Sequence, residues 1–194
     1  CLANIKYSSI FCSADKTCVS EGFLPSCNVS PLSLQPNWLK IRAINKNEEI
    51  HPSIINLVGI FILESSFTNI SGNNATNNGI CGVSLYNSKG SIISGNNITN
   101  NPYGFALGGG SSHHNRLSGN NIANNGRGIV IDGCSNNSIS ENNITANSDY
   151  GLKGVGSNNS ISENNITAND CGISLELYSN NNSIYRNNIS NSIW

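Results

Sequence analysis

SNNSISENNITAN runs from Ser135 to Asn147 and recurs letter for letter from Ser157 to Asn169, an offset of 22 residues. Related copies extend in both directions. ISGNNATNN starts at Ile70, ISGNNITNN at Ile93 and LSGNNIANN at Leu117. ISENNITAN starts at Ile139 and Ile161, and the partial copy IYRNNISNS at Ile184. Successive steps are 23, 24, 22, 22 and 23 residues. A second motif rides in each copy: CGVSL at Cys81, YGFAL at Tyr103, RGIVI at Arg127, YGLKG at Tyr150 and CGISL at Cys171. VGIFIL, residues 58–63, is an earlier degenerate copy.

The period is too short for a helix pair, and helical 3.6 spacing is missing. Apolar residues alternate in short runs instead, as in G-I-V-I and N-I-T, with Gly and Asn between them where bends are needed. Each copy therefore reads as one coil of an all-β solenoid. Coils stack as parallel strands about 4.8 Å apart, because no coil can bury its Ile face alone. The repetition predicts about six coils of 22–24 residues, with Ile93, Ile98, Ile129, Ile131, Ile139, Ile144, Ile161, Ile166, Ile173 and Leu175 inward. It also predicts that like stacks on like: Asn142 with Asn164, and Asn147 with Asn169. Their amides can bond along the column, or the residues can simply tolerate turn geometry. Both roles are expected.

The N-N-x-I-S-x-N-N-I-T-x-N…G-I-x-L pattern resembles the right-handed, single-stranded parallel β-helix repeats of the NosD-like family of periplasmic and surface proteins. The resemblance covers roughly Ile54 to Trp194. It implies the fold; it does not imply one function, since sites are grafted onto folds. A repeat domain over 51–194 is expected to follow a Cys-rich cap or arm over 1–50.

Charged residues make up 11% and the net charge is −1, which argues against nucleic acid or anionic membrane as partner. The chain lacks Met and opens at Cys1, as expected of an exported chain whose leader has been removed. The longest apolar run, Ile54 to Leu63, is half a membrane span, so it reads as core. Cys1, Cys12, Cys18 and Cys27 are disulfide candidates with three possible pairings. Cys81, Cys134 and Cys171 lie on separate coils. Cys81 and Cys171 stand four coils apart, roughly 19 Å at the strand spacing, so free thiols are expected.

Catalytic and metal-binding constellations are sparse. Glu141 and Glu163 share a repeat position, and Arg186 follows in the next coil. That column reads as a surface charge ladder rather than an acid–base pair. Asp132, Lys153 and Glu176 fall on roughly one side of successive coils as a candidate polar groove. Copper needs imidazole or sulfur ligands, and the chain has three His: His51 and the adjacent pair His113–His114. No catalytic residue, cofactor or metal is assigned, and a non-enzyme is expected. The sequon N-x-S/T occurs ten times, at Asn28, Asn69, Asn74, Asn97, Asn136, Asn143, Asn158, Asn165, Asn181 and Asn188. Alternation puts most of these outward in two columns, predicting covalent N-linked glycans.

Three functions compete. One is a glycosylated structural subunit of an extracellular filament, sheath or surface layer. It would polymerise with itself head to tail through open β-helix ends, with Ile193 and Trp194 at the interface. The alternatives are a carbohydrate-binding or carbohydrate-processing β-helix and a NosD-like metal-handling protein.

Overall fold

The computed structural model describes residues 58–190 in full, together with the backbone of three short strands, β1 (Ile10–Cys12), β2 (Cys18–Ser20) and β3 (Asn28–Val29). The described residues contain strands and turns and no helix. They form a parallel β-solenoid of six coils with one strand per wall.

The long-strand wall stacks β4 (Val58–Leu63), β7 (Cys81–Tyr86), β10 (Tyr103–Gly108), β13 (Arg127–Asp132), β16 (Tyr150–Val155) and β19 (Cys171–Leu175). A second wall stacks β5 (Asn69–Ser71), β8 (Ile92–Ser94), β11 (Arg116–Ser118), β14 (Ser138–Ser140), β17 (Ser160–Ser162) and β20 (Ser183–Tyr185), with β3 pairing parallel to β5. The third stacks β6 (Asn74–Thr76), β9 (Asn97–Thr99), β12 (Asn121–Ala123), β15 (Asn143–Thr145), β18 (Asn165–Thr167) and β21 (Asn188–Ser190). β1 and β2 pair antiparallel as a two-stranded sheet.

The register places like on like. Ile139 pairs with Ile161, Ile144 with Ile166, and Asn143 with Asn165. Ile70, Ile93, Ile98, Ile122, Ile129, Ile144, Ile161 and Ile166 are all 0% exposed. The inward assignments hold, except that Ile173 and Leu175 are only partly buried. Both lie on the sixth coil, where the described long-strand wall ends and only one neighbouring coil covers them.

Turning the chain inside a 22-residue coil leaves buried polar backbone at every corner, and unpaired groups there are costly. Besides a short run through Ser65, Ser88 and Ser112, three longer internal ladders satisfy it. One stacks Asn73, Asn96, Asn120, Asn142, Asn164 and Asn187. In each step a backbone N–H donates to the Oδ1 one coil on, as from Asn120 to Asn142 (3.0 Å) and from Asn142 to Asn164 (3.0 Å). The amide Nδ2 donates to the same oxygen and also back to a carbonyl of the preceding coil, as from Asn142 to Leu117 O (2.9 Å). A second ladder stacks Asn78, Asn101, Asn125, Asn147 and Asn169. A third begins with Thr68 and Ser91 and continues through Asn115, Asn137, Asn159 and Asn182.

The two expected roles of Asn fall on different residues. Immediately before each ladder residue sits one in the left-handed region: Asn136 (φ 58°) before Asn137, Glu141 (φ 59°) before Asn142 and Ala146 (φ 54°) before Asn147. The first residue bends the chain; the second turns inward and bonds. Glu141, Glu163 and Arg186 therefore occupy a bend that Gly72, Gly95 and Gly119 fill in the earlier coils. A left-handed non-Gly residue costs about 1–2 kcal/mol, partly offset by the extra freedom Gly brings to the unfolded chain. Glu141→Gly should thus stabilise the fold by about 0.5–1 kcal/mol, raising Tm by roughly 1–4 °C. A thermal melt checks this, and a lower Tm would contradict it.

The Gly of the second motif has a different cause. A Cβ on Gly104 would meet Gly128 O at 2.6 Å, Asn125 Nδ2 at 2.9 Å and Ile122 Cγ2 at 2.9 Å. The long wall begins where the Asn ladder passes behind it, and only hydrogen fits.

Candidate functional site

The third wall presents outward a uniform surface, whereas the second is mixed, exposing Ile92 and Arg116 beside its serines. On the third wall Asn74, Asn97, Asn121, Asn143, Asn165 and Asn188 form an outer amide ladder with steps of 2.7–2.9 Å. Thr76 bonds Thr99 at 3.2 Å and Thr145 bonds Thr167 at 3.1 Å. The long wall is the one whose outward positions change between aromatic and charged residues from coil to coil, while its inward ones stay apolar.

Tyr103, Arg127, Tyr150 and Cys171 open successive long strands, in that order along the stack. The Arg127 guanidinium lies 5.5 Å from the Tyr103 ring centre and 5.9 Å from that of Tyr150, so it sits between the two rings. Its Nε donates to Asp149 Oδ2 at 2.7 Å. That bond, more than any other contact, pushes the guanidinium pKa above its ordinary value, so it stays charged. Lys153 Nζ lies 4.9 Å from the Tyr150 ring centre and 2.8 Å from Glu176 Oε1. The hydrogen bond to Glu176 likewise raises the lysine pKa. All these side chains are partly exposed.

The candidate groove of Asp132, Lys153 and Glu176 lies on this face. Lys153 and Glu176 meet. Asp132 sits on the column of Val155, its register partner, and makes no ion pair among the described residues. Sequence reasoning missed Tyr103, Arg127, Tyr150 and Asp149. The available signal was the first residue of each second-motif copy, which changes from coil to coil while the following Gly does not.

The Glu141–Glu163–Arg186 column lies at the corner between the two short-strand walls. Arg186 Nη1 is 3.5 Å from Glu163 Oε1, both exposed, as a surface charge ladder requires. Cys81 and Cys134 are buried free thiols and Cys171 is a half-buried one. Burial pushes Cys81 up to about 12, so it is a thiol, not a nucleophilic thiolate, at neutral pH.

Of the sequons, Asn74, Asn97, Asn136, Asn158, Asn165, Asn181 and Asn188 are exposed, and Asn69 and Asn143 are half-buried. The Asn28 side chain lies outside the described residues, as do Cys1, Cys27, His51, Ile193 and Trp194. Cys12 and Cys18 are register partners across β1 and β2, but the disulfide expectation itself falls outside the described residues.

Copper would need several soft or imidazole donors converging on one point. Among the described residues no three His, Cys, Asp or Glu come together in that way. His113 and His114 place their Nδ1 atoms 2.7 Å apart, bonded to each other rather than aimed at a common ligand. The described residues do not fit a copper site.

The profile of the family described as "Periplasmic copper-binding protein (NosD)" matches residues 45–193. No curated protein sequence matches the chain. Among solved structures, the periplasmic alginate epimerase AlgG and a single mutant of it each align with TM-score 0.55 and 22% identity, over 69% of this chain and 40% of theirs. A double mutant aligns at 0.50 and 16%, over 68% and 47%. The chain thus spans less than half the length of these structures, and the likeness is one of fold.

Proposed function

The chain belongs to the NosD family, and from that premise we propose that it is a carbohydrate-binding β-solenoid of the cell envelope, holding a polysaccharide along the outer face of its long-strand wall. The observation that carries this reading is the Tyr103–Arg127–Tyr150 stack. Sugars offer apolar C–H faces to aromatic rings and hydroxyls to planar donors, and this face alternates the two. Arg127 spends only Nε on Asp149, so its remaining N–H donors are free for hydroxyls. Tyr178, 84% exposed beside Glu176, adds another ring at the sixth coil. Successive rungs about 4.8 Å apart suit a ligand that is itself a linear repeat.

The family's description and the AlgG structures both name periplasmic proteins, which supports an envelope location. The AlgG name also supports a carbohydrate as ligand. We propose binding rather than turnover, because the cations of this face are already committed to Asp149 and Glu176.

Affinity electrophoresis through gels containing soluble polysaccharides tests the reading. Tyr150→Ala and Arg127→Ala should each weaken retardation at least about tenfold, roughly 1.4 kcal/mol. Asn165→Ala, on the third wall, should leave it unchanged. Retardation equally affected by all three would place the ligand elsewhere.

A second reading is head-to-tail self-association, with N-glycans coating the outward sequons. Its glycan part is favoured by the exposed sequon asparagines Asn74, Asn97, Asn165 and Asn188, which stack in one outward column. Light scattering of native protein, with mass spectrometry of the sequon asparagines, tests both parts. A glycan-free monomer at high concentration would remove this reading.

A further inference from the structure

Resting on the carbohydrate reading, we infer that the polysaccharide held by the long-strand face is uncharged, a chain of neutral sugar rings rather than a polyuronate. The face carries two cations, Arg127 and Lys153, against four carboxylates: Asp132, Asp149, Asp170 and Glu176. Asp149 and Asp170 immediately precede Tyr150 and Cys171, which are register partners in neighbouring strands. Asp132 closes β13, and Glu176 follows β19.

Both cations are engaged internally, Arg127 with Asp149 at 2.7 Å and Lys153 with Glu176 at 2.8 Å. Asp132 and Asp170 are exposed and have no ion-pair partner among the described residues. An anionic polymer laid across this face would have to displace a carboxylate from each cation and would still meet the two unpaired acids. A neutral polymer breaks nothing. Its hydroxyls donate to Asp132, Asp170 and the free oxygens of Asp149 and Glu176. They accept from the unused N–H groups of Arg127 and Lys153. Its ring faces take Tyr103 and Tyr150. The ion pairs then hold the guanidinium and ammonium rigid, which lowers the ordering cost of binding.

The test is an array carrying neutral oligosaccharides (glucans, mannans, galactans and N-acetylhexosamine oligomers) beside uronate oligomers that include alginate. It is run at about 10 mM salt, where charge effects reach roughly 30 Å. Signal on at least one neutral oligomer should exceed that on every uronate by tenfold or more. In Asp132→Asn/Asp170→Asn, uronate signal should rise while the neutral-to-uronate ratio falls. Stronger signal on uronates than on any neutral oligomer would overturn the inference and leave the carbohydrate reading standing. Signal on neither class would remove that reading, and this inference with it.

Discussion

Ile144→Asp should abolish the folded state at room temperature, whereas Thr145→Asp, the next residue along β15, should cost under about 1 kcal/mol. Ile144 is 0% exposed, stacked between Ile122 and Ile166. A carboxyl there has no polar partner and must be buried charged or neutralised; either costs several kcal/mol. A domain is stable by only about 5–15 kcal/mol. In a solenoid a broken rung also removes the support its two neighbours draw from it. Thr145 points outward, half-buried, with its hydroxyl 3.1 Å from that of Thr167. An Asp in its place loses one solvent-accessible bond. Urea titration followed by circular dichroism separates the two, and equal midpoints would mean that the inward and outward faces are misassigned.

Asn142→Ala should be nearly as damaging, at about 3–5 kcal/mol, while Asn143→Ala should cost under about 1 kcal/mol. Asn142 is 1% exposed. Its Oδ1 accepts from Asn120 N at 3.0 Å and Asn120 Nδ2 at 2.9 Å, and its Nδ2 donates to Leu117 O at 2.9 Å and Ser140 O at 3.0 Å. Truncation strands several buried groups at once, each costing about 1–3 kcal/mol before water or local relaxation recovers part. Asn143 bonds in the outer ladder, where water can replace its partners. A pair of equilibrium unfolding curves decides, and similar losses would show that the buried ladder is not what holds the corners.

These two pairs show how the sequence encodes the fold. The inward Ile and outward Thr of N-I-T are legible because strand alternation fixes them once the period is known. The difference between Asn142 and Asn143 is also legible, by the same alternation. What cannot be read directly is that Glu141, Ala146 and Asn136 do a single job. Their side chains share nothing, and only the left-handed backbone unites them. Hence Glu141 and Glu163 invite a chemical reading, although they stand where earlier coils use Gly72, Gly95 and Gly119.

The candidate site is legible only in part. Asp132, Lys153 and Glu176 fall on one side by counting residues, but Lys153 reaches Glu176 on a diagonal, since its register partner is Ser174. The Tyr103–Arg127–Tyr150 stack depends on three strands starting in register, and coil lengths that vary between 22 and 24 residues hide that alignment until the strands are paired.

The most direct measurement of the central claim is a heteronuclear NMR titration of this 20.6 kDa chain with an oligosaccharide it binds. Shifts should concentrate on the Tyr103 and Tyr150 rings, the Arg127 Nε–H and the Lys153 side chain, with the Asn143 and Asn165 amides unmoved. Shifts centred on those outer-ladder amides, with the Tyr103 and Tyr150 rings unchanged, would contradict it.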